Sequence, residues 1–304
     1  MMDATRQFRI AHRGPLVAVG DWRCPPHRAG DGSVETSSRH RIVFTRAGAF
    51  RKTSGGRSVV ADPATVLFFA RGEEYRVSHP LPGGDRCVVL TVADAPLDEI
   101  ARGAGGRRGA GRPAGSPFPA TWAPVDPATA LALRGLLAAT ARDPLEADER
   151  ALLLAGRIVR AAAGGPGTRL PAWRPATAAL HRRLVERARL CAAERFRERL
   201  TLAALGRAAA ASPYHLCRLF RRATGLPLHR HVNRLRLLAG LDLLEPGADL
   251  ARIAHEVGFS SHSHFSTAFR REFGRPPSRV LRDLSAAGVR QMRTILKALQ
   301  APPA

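Results

Sequence analysis

Lysine is almost missing from this chain. Of its 48 Lys and Arg residues only Lys52 and Lys297 are lysine, and the remainder are arginine. Alongside 28 glycines, 23 prolines and abundant alanine, this bias follows from GC-rich coding, so the choice of arginine over lysine is weak evidence for bidentate recognition. Cysteine is scarce as well. Cys24, Cys87, Cys191 and Cys217 are widely separated and form no CxxC pair, which fits reduced thiols better than a disulfide framework. No apolar run is long enough to span a bilayer, and the opening MMDATRQFRI lacks the apolar stretch of a secretion signal, so the expected location is the cytoplasm. Acidic residues are also few: 25 Asp and Glu leave a net charge of +23.

What remains is a globular composition, 45% hydrophobic and 24% charged, over 304 residues, enough for two ordinary cores. The charge is unevenly placed. Residues 171–304 hold 24 basic against 9 acidic side chains, so the C-terminal part is the one that faces a polyanion.

Between His40 and Val92 the runs RIVFTRAGAF, SVVA, TVLFFAR, EYRVSH and CVVLTVA are short and β-rich. Gly55-Gly56, Asp62-Pro63 and Pro82-Gly83-Gly84 punctuate them, a spacing that predicts a small antiparallel sandwich or barrel. GAGGRRGAGRPAGS, residues 103–116, is low-complexity loop. Two helices follow. One is capped by Asp126-Pro127, with Leu131, Leu133, Leu136 and Leu137 on its apolar side; the other, from about Leu145 to Ala163, is expected to bury Leu152, Leu153, Ile158 and Val159. This pair is either core cover or a dimer surface. GGPGTRLPAWRP, residues 164–175, breaks the helical pattern as an interdomain linker. Beyond it a long helix is lined by Leu180, Leu184, Ala188, Leu190 and Cys191, with Arg182, Arg183, Arg187 and Arg189 on its other side. A weak final helix spans about Val289 to Leu299.

The last third contains one pattern twice: LGRAAAASPYHLCRLFRRATG from Leu205 and IAHEVGFSSHSHFSTAFRREFG from Ile253. Each copy reads as a short helix, a tight turn, a serine cap and an amphipathic helix ending at glycine. Leu205 aligns with Ile253 and Ser212 with Ser260 at an offset of 48; Leu216 with Phe265, Phe220 with Phe269 and Gly225 with Gly274 follow at 49. One residue inserted after the cap accounts for the slip. Two helix-turn-helix units in one basic segment suit a reader of two turns of a DNA major groove.

In the first unit Leu216, Leu219 and Phe220 face inward and Tyr214, Cys217, Arg218, Arg221 and Arg222 outward. In the second, Phe265, Ala268, Phe269 and Phe273 face inward and His262, Ser263, Thr267, Arg270 and Arg271 outward. Base contacts come from the N-terminal part of such a helix. Arg218 suits guanine, Tyr214 and Cys217 thymine methyls, and His262, Ser263 and Thr267 weaker or water-mediated contacts. Arg221, Arg222, Arg270 and Arg271, with the helix starts at Ser212 and Ser260, are placed to hold phosphates.

At these residues the chain resembles the AraC/XylS family of bacterial transcription regulators. GFSSHSHFSTAFRREFGRPPSRVLR, residues 258–282, follows the family signature, and SPYHLCRLFRRATGLPLHRHVNRLRL, residues 212–237, matches about as well. The resemblance spans residues 177–284 and is far weaker before them. It implies a two-unit reading domain whose linking helix, here within Pro227 to Leu244, spaces the recognition helices about 34 Å apart. It places base contacts at Tyr214, Cys217, Arg218, His262, Ser263 and Thr267. It also implies a cupin-like β-domain that binds a small effector or dimerises. Ala209-Ala210-Ala211 departs from the family, which usually has glycine there as the second copy has at Gly258, so the first turn is expected to be strained or reshaped.

The resulting expectation is an α+β protein of two domains: a cupin-like β sensory domain (1–100), a loop and helix pair (101–163), a linker (164–176), an all-α domain with two helix-turn-helix units (177–284) and a tail (285–304). Its partners would be double-stranded DNA, a small-molecule effector, RNA polymerase and a second copy of the chain, with no membrane and no cofactor. A catalytic cupin metal site is not expected, because His40, Glu73, Glu74 and His79 include no HxH pair. Cys24, His27 and His40 with Cys87 form a looser set with ligand types for zinc or a thiol sensor. Three other classes remain: a metal-dependent cupin enzyme or thiol/metal sensor with an accessory DNA module, an alkyl-transfer repair sensor, and a non-specific nucleic-acid binder. Two cysteines in the first 170 residues are too few for the four-cysteine site of the repair class.

Overall fold

Runs of β-branched and aromatic residues broken by glycine and proline turns build the first half of the chain. The computed structural model, which describes residues 7–25, 30–105, 115–165, 173 and 175–284, pairs these runs in two antiparallel sheets. The larger has the order β1 (Gln7–Arg13), β2 (Val17–Cys24), β9 (Asp85–Val92), β4 (Arg41–Gly48), β7 (Thr65–Phe69) and β10 (Trp122–Pro124). The smaller runs β3 (Gly30–Thr36), β8 (Glu74–His79), β5 (Phe50–Ser54) and β6 (Arg57–Ala61). The strand-rich segment after His40 is thus a sandwich, as its pattern predicts, extended by three earlier strands and a late one.

The middle strands of the large sheet are buried on both faces. Phe44 pairs with Val88 and Ile42 with Leu90; these four point to one core. The alternate residues Val43, Leu67, Phe69 and Cys87 point into the sandwich and meet Phe50, Ala61 and Tyr75 of the small sheet. The outer face is covered by α1 (Asp94–Gly103), α2 (Pro127–Ala139) and α3 (Pro144–Gly164). Asp126 caps α2 by accepting from the Thr129 amide at 2.7 Å and holds Arg157 of α3 at 2.7 Å. Leu153 does not enter the core as expected but is 64% exposed, and Leu154 takes the buried place. The apolar face of α3 runs through Ala147, Ala151, Leu154, Ile158 and Ala162, whose mostly short side chains let the helix lie close to β2 and β9.

From Pro175 the chain is helical: α4 (Pro175–Arg195), α5 (Leu202–Ala209), α6 (Pro213–Thr224), α7 (Leu228–Asp242), α8 (Leu250–Glu256) and α9 (His262–Phe273). The loop at 103–116 lies mostly outside the described residues, as does the linker at 164–175; the helix at 289–299 lies wholly outside them. The main core is continuous from Val17 in β2 to Val280 beyond α9. Its bridge is α4. Leu184, Ala188 and Ala192 join the main core, while Leu190 and Ala193 pack with Ala49 and Val60 of the β-domain. Leu180, expected on the buried side, is 55% exposed.

Arg189 also departs from its expected outward place: it is buried, and its guanidinium donates to the Asp62 carboxylate at 3.0 and 2.7 Å. Asp62, in the β6–β7 turn, accepts as well from the Ala64 amide and the Thr65 hydroxyl, and His231 of α7 stands 3.3 Å away. Burial pushes the Asp62 carboxyl up, but Arg189 and His231 outweigh it and hold it well below the usual carboxylate range. Around this centre Arg46 of β4 binds Asp242 of α7 at 2.8 Å, and Arg134 of α2 donates to the Leu244 carbonyl at 2.6 Å.

Removing one partner of such a buried pair strands the other charge, so Asp62→Ala should cost about 3–5 kcal/mol in urea unfolding. Combining it with Arg189→Leu should recover part of that loss; a fully additive double variant would contradict the coupling. A depressed carboxyl stabilises fully above its unfolded pKa near 4 and loses that contribution as pH falls through its folded pKa. The acid limb of the stability curve should therefore be shallower in Asp62→Ala than in the parent.

Candidate nucleic-acid interface

Each reading unit is assembled by local capping. Thr201 caps α5 by accepting from the Ala204 amide at 3.1 Å, and α5 ends at Ala210, in the left-handed region at φ 54°. Ala210 is the one non-glycine residue with positive φ among the described residues. The turn closes with the Ala211 amide on the Gly206 carbonyl at 2.9 Å; a Cβ at Gly206 would sit 2.8 Å from the Ala211 carbonyl oxygen, which explains glycine there. Ser212 then caps α6, with Pro213 in the first turn, and the helix stops at left-handed Gly225.

The second unit repeats this. Asp249 caps α8, and Gly258 turns the chain at φ 89° with its Cα so close to the Arg197 carbonyl that a Cβ would lie 2.5 Å from the oxygen. The cap of α9 is Ser261, whose hydroxyl accepts from the His264 amide at 3.2 Å, and not Ser260 as the repeat suggests. Ala210 and Gly258 correspond at an offset of 48 and Ser212 and Ser261 at 49. The extra residue therefore precedes the cap. The sequence conceals this because Ser260 and Ser261 are adjacent and either fits the cap position.

The inner faces form as the periodicity predicts. Leu216, Leu219 and Phe220 are buried beneath α6, and Phe259, Phe265, Phe269 and Phe273 make a chain of rings 5.4, 5.5 and 4.4 Å apart beneath α9. A single helix, α7, joins the units. Its Arg236 donates to the carbonyls of Phe196 and Glu198 at the end of α4, and its Arg234 binds Glu272 of α9 at 2.7 Å. Gly240 lets α9 approach: a Cβ there would meet the Phe265 ring at 2.8 Å.

The opposite faces lie open. Tyr214 is 72% exposed, Arg218, Arg221 and Arg222 are exposed, and Cys217 is half-buried between them. The Arg218 guanidinium lies 5.7 Å from the Tyr214 ring, one turn away on the same face. On α9, His262, Ser263, Thr267, Arg270 and Arg271 are exposed, as are Ser212 and Ser260 before the two helices. His262 Nε2 is 3.2 Å from the Ser266 hydroxyl. Each helix thus offers polar groups in its first turns, arginines in its last, and the positive end of its dipole at its start, an arrangement able to bind base edges and phosphates together.

The looser metal or thiol set of the N-terminal half does not form as written. His40 accepts from the Arg71 amide at 3.0 Å and packs edge-on to Phe118 in the helix-covered core, on the other side of the large sheet from Cys87. His27 lies outside the described residues. Burial pushes the Cys87 thiol well up, so it stays protonated and is not a reactive thiolate.

Ala210→Gly should raise stability by about 0.5–1 kcal/mol, since alanine in the left-handed region costs about 1–2 kcal/mol and glycine returns part of this as unfolded-state entropy. Gly240→Ala should lower stability by about 1–3 kcal/mol by overpacking against Phe265. Urea midpoints check both; a drop in Ala210→Gly would mean the turn is not strained.

Residues 205–283 match the family described as a helix-turn-helix domain. Over 88 residues, 29% of this chain and 32% of the relative, the sequence is 39% identical to the HTH-type transcriptional activator RhaS of Escherichia fergusonii. Over 63 residues, 20% of this chain and 23% of the relative, it is 46% identical to RhaS of Escherichia coli O1:K1 / APEC. The chain spans about a third or less of the length of these curated relatives. Among solved structures, the C-terminal domain of AraT from Geobacillus stearothermophilus aligns at 27% identity and TM-score 0.32, covering 33% of this chain and 84% of that one. An apo variant of ToxT from Vibrio cholerae aligns at 12% identity and TM-score 0.39, covering 89% and 98%. With the repeated turn, the serine caps and the phenylalanine core in place, the C-terminal part of this chain is a helix-turn-helix domain built of two units, similar over that stretch to the RhaS activators.

Proposed function

We propose that the chain is a sequence-specific transcription regulator whose two recognition helices read adjacent major-groove segments of double-stranded DNA. The observation that carries this reading is the doubled geometry: α6 and α9 are each capped by serine, closed by glycine and buried by one apolar face, and each exposes a polar and basic face. Arg218 takes the bidentate contact to guanine, Tyr214 and Cys217 pack on thymine methyls, and His262, Ser263 and Thr267 make the weaker contacts of the second helix. Arg221, Arg222, Arg270 and Arg271, together with the helix starts at Ser212 and Ser261, hold phosphates. Ser260, exposed one residue before the cap, keeps a phosphate-facing place.

The β-domain serves as the sensory part, and its direct docking on α4 and α7 supports an effector-responsive protein that binds rather than turns over its ligand. The relatives named as activators favour activation over repression. No helix of the described residues is long and apolar enough to cross a membrane, and the proposed place of action is the cytoplasm.

Selection of bound DNA from a random pool at physiological salt, using the full chain, should enrich a bipartite site. On that site Arg218→Ala should relax preference at one base pair, by about 1–3 kcal/mol, whereas Arg221→Ala should weaken all sequences alike and reduce the salt slope by about one. No enriched motif, together with binding lost steeply as salt rises, would reduce the domain to a non-specific binder. Uniform loss in both variants would overturn the role of Arg218.

A further inference from the structure

The sandwich interior holds a group of metal-binding side chains that the reading domain does not use. Cys24 ends β2 and is the direct cross-strand partner of Asp85 at the start of β9, so both side chains leave the large sheet on the same face. His79, at the end of β8 in the small sheet, reaches the same point from across the sandwich. One donor atom from each of Cys24, His79 and Asp85 lies within 4.8 Å of the others, and all three residues are buried. Asp85 is already drawn toward such a role: His79 Nε2 is 3.1 Å from its Oδ2, and the Cys87 thiol donates to its Oδ1 at 3.3 Å.

We infer that Cys24, His79 and Asp85 bind one borderline divalent cation of the zinc type, clamping β2, β8 and β9 together. The donor set selects the ion. A thiolate and an imidazole disfavour magnesium and calcium, which require oxygen ligands, and favour zinc and its spectroscopic substitute cobalt. Charge also balances: a dication meets one thiolate and one carboxylate with a neutral imidazole, so the buried site is neutral overall. Distances agree, because ligands about 2.0–2.3 Å from zinc in a tetrahedron lie about 3.5 Å from one another, which donors now 3.1 Å apart for His79 and Asp85 and all within 4.8 Å of one another reach by modest shifts. On binding, the cation displaces the Cys24 thiol proton to solvent, and the sulfur lone pair forms the metal bond. Among the described residues no fourth donor joins these three, which leaves one tetrahedral position for an outside ligand. That position faces a cavity of about 90 Å³ lined by His79, Asp85 and Cys87 with Trp22, Phe50 and Phe69, with room for a water or a small exogenous donor. Cys87 is a positioning residue that fixes the carboxylate.

The test uses the full chain, reduced, stripped with chelator and titrated with cobalt(II) in the absence of DNA, so it stands apart from the regulator reading. The expected result is saturation at one equivalent with a near-ultraviolet thiolate-to-cobalt band that zinc bleaches. Cys24→Ser should abolish the band, His79→Gln should weaken binding at least tenfold, and Cys217→Ser should leave both unchanged. A variant that fails to fold is bypassed in the parent protein by mass spectrometry of cysteine alkylation, in which zinc should slow modification of Cys24 at least tenfold and leave Cys217 unaffected. No band, a band that survives Cys24→Ser, or equal alkylation of Cys24 with and without zinc would overturn the site.

Discussion

A single carboxylate with no exposure to solvent organises the joining of the two halves. Asp62 sits in a turn of the β-domain, yet two of its partners, Arg189 and His231, belong to the first and fourth helices of the helical half. A buried anion is tolerated only when its hydrogen-bonding capacity is filled, and here backbone, hydroxyl and guanidinium donors fill it. The consequence is that α4 and α7 cannot drift from the sandwich without exposing or stranding charge. Both are also the helices that support the reading units, α4 beneath the first and α7 between them. The β6–β7 turn is thereby tied directly to the two helices on which the reader is built.

The reading units solve a different problem, that of a short helix with two masters. One face must hold it in a small core and the other must stay polar enough to enter a groove. In α6 the core face is three large side chains; in α9 it is a ladder of phenylalanines, and Gly240 brings α7 close enough to close that core. Isolated helices of twelve residues are marginal in water, so these exist because of that packing and their caps. The same economy fixes the turns. Gly258 is confined by the Arg197 carbonyl, while the first unit accepts Ala210 in a backbone region that disfavours it.

Much of this was legible from the residues, for reasons that can be located. The strands after His40 declare themselves by β-branched runs and Gly/Pro turns, and the reading helices by repeated apolar spacing between a serine and a glycine. The earlier strands are hidden. β2 carries Gly20-Asp21 at its middle, which looks like a turn, whereas the chain stays extended there because it pairs with β1 on one side and β9 on the other. β3, beginning Gly-Asp-Gly-Ser, reads as loop and becomes strand only through pairing with β8. Periodicity puts Arg189 on the outer side because it sees one helix at a time, and the partner that buries it lies 127 residues earlier. His79 has no neighbouring histidine to mark it in the sequence; the cysteine and aspartate beside it come from strands that sequence spacing does not bring together.

The most direct test of the central claim is methylation interference on a DNA site bound by the full chain, because a methyl group at guanine N7 blocks the major groove alone. If α6 and α9 both read DNA, interference should fall in two clusters whose centres lie about 10 base pairs apart, one helical turn. A single cluster, or binding indifferent to N7 methylation, would contradict a two-helix major-groove reader.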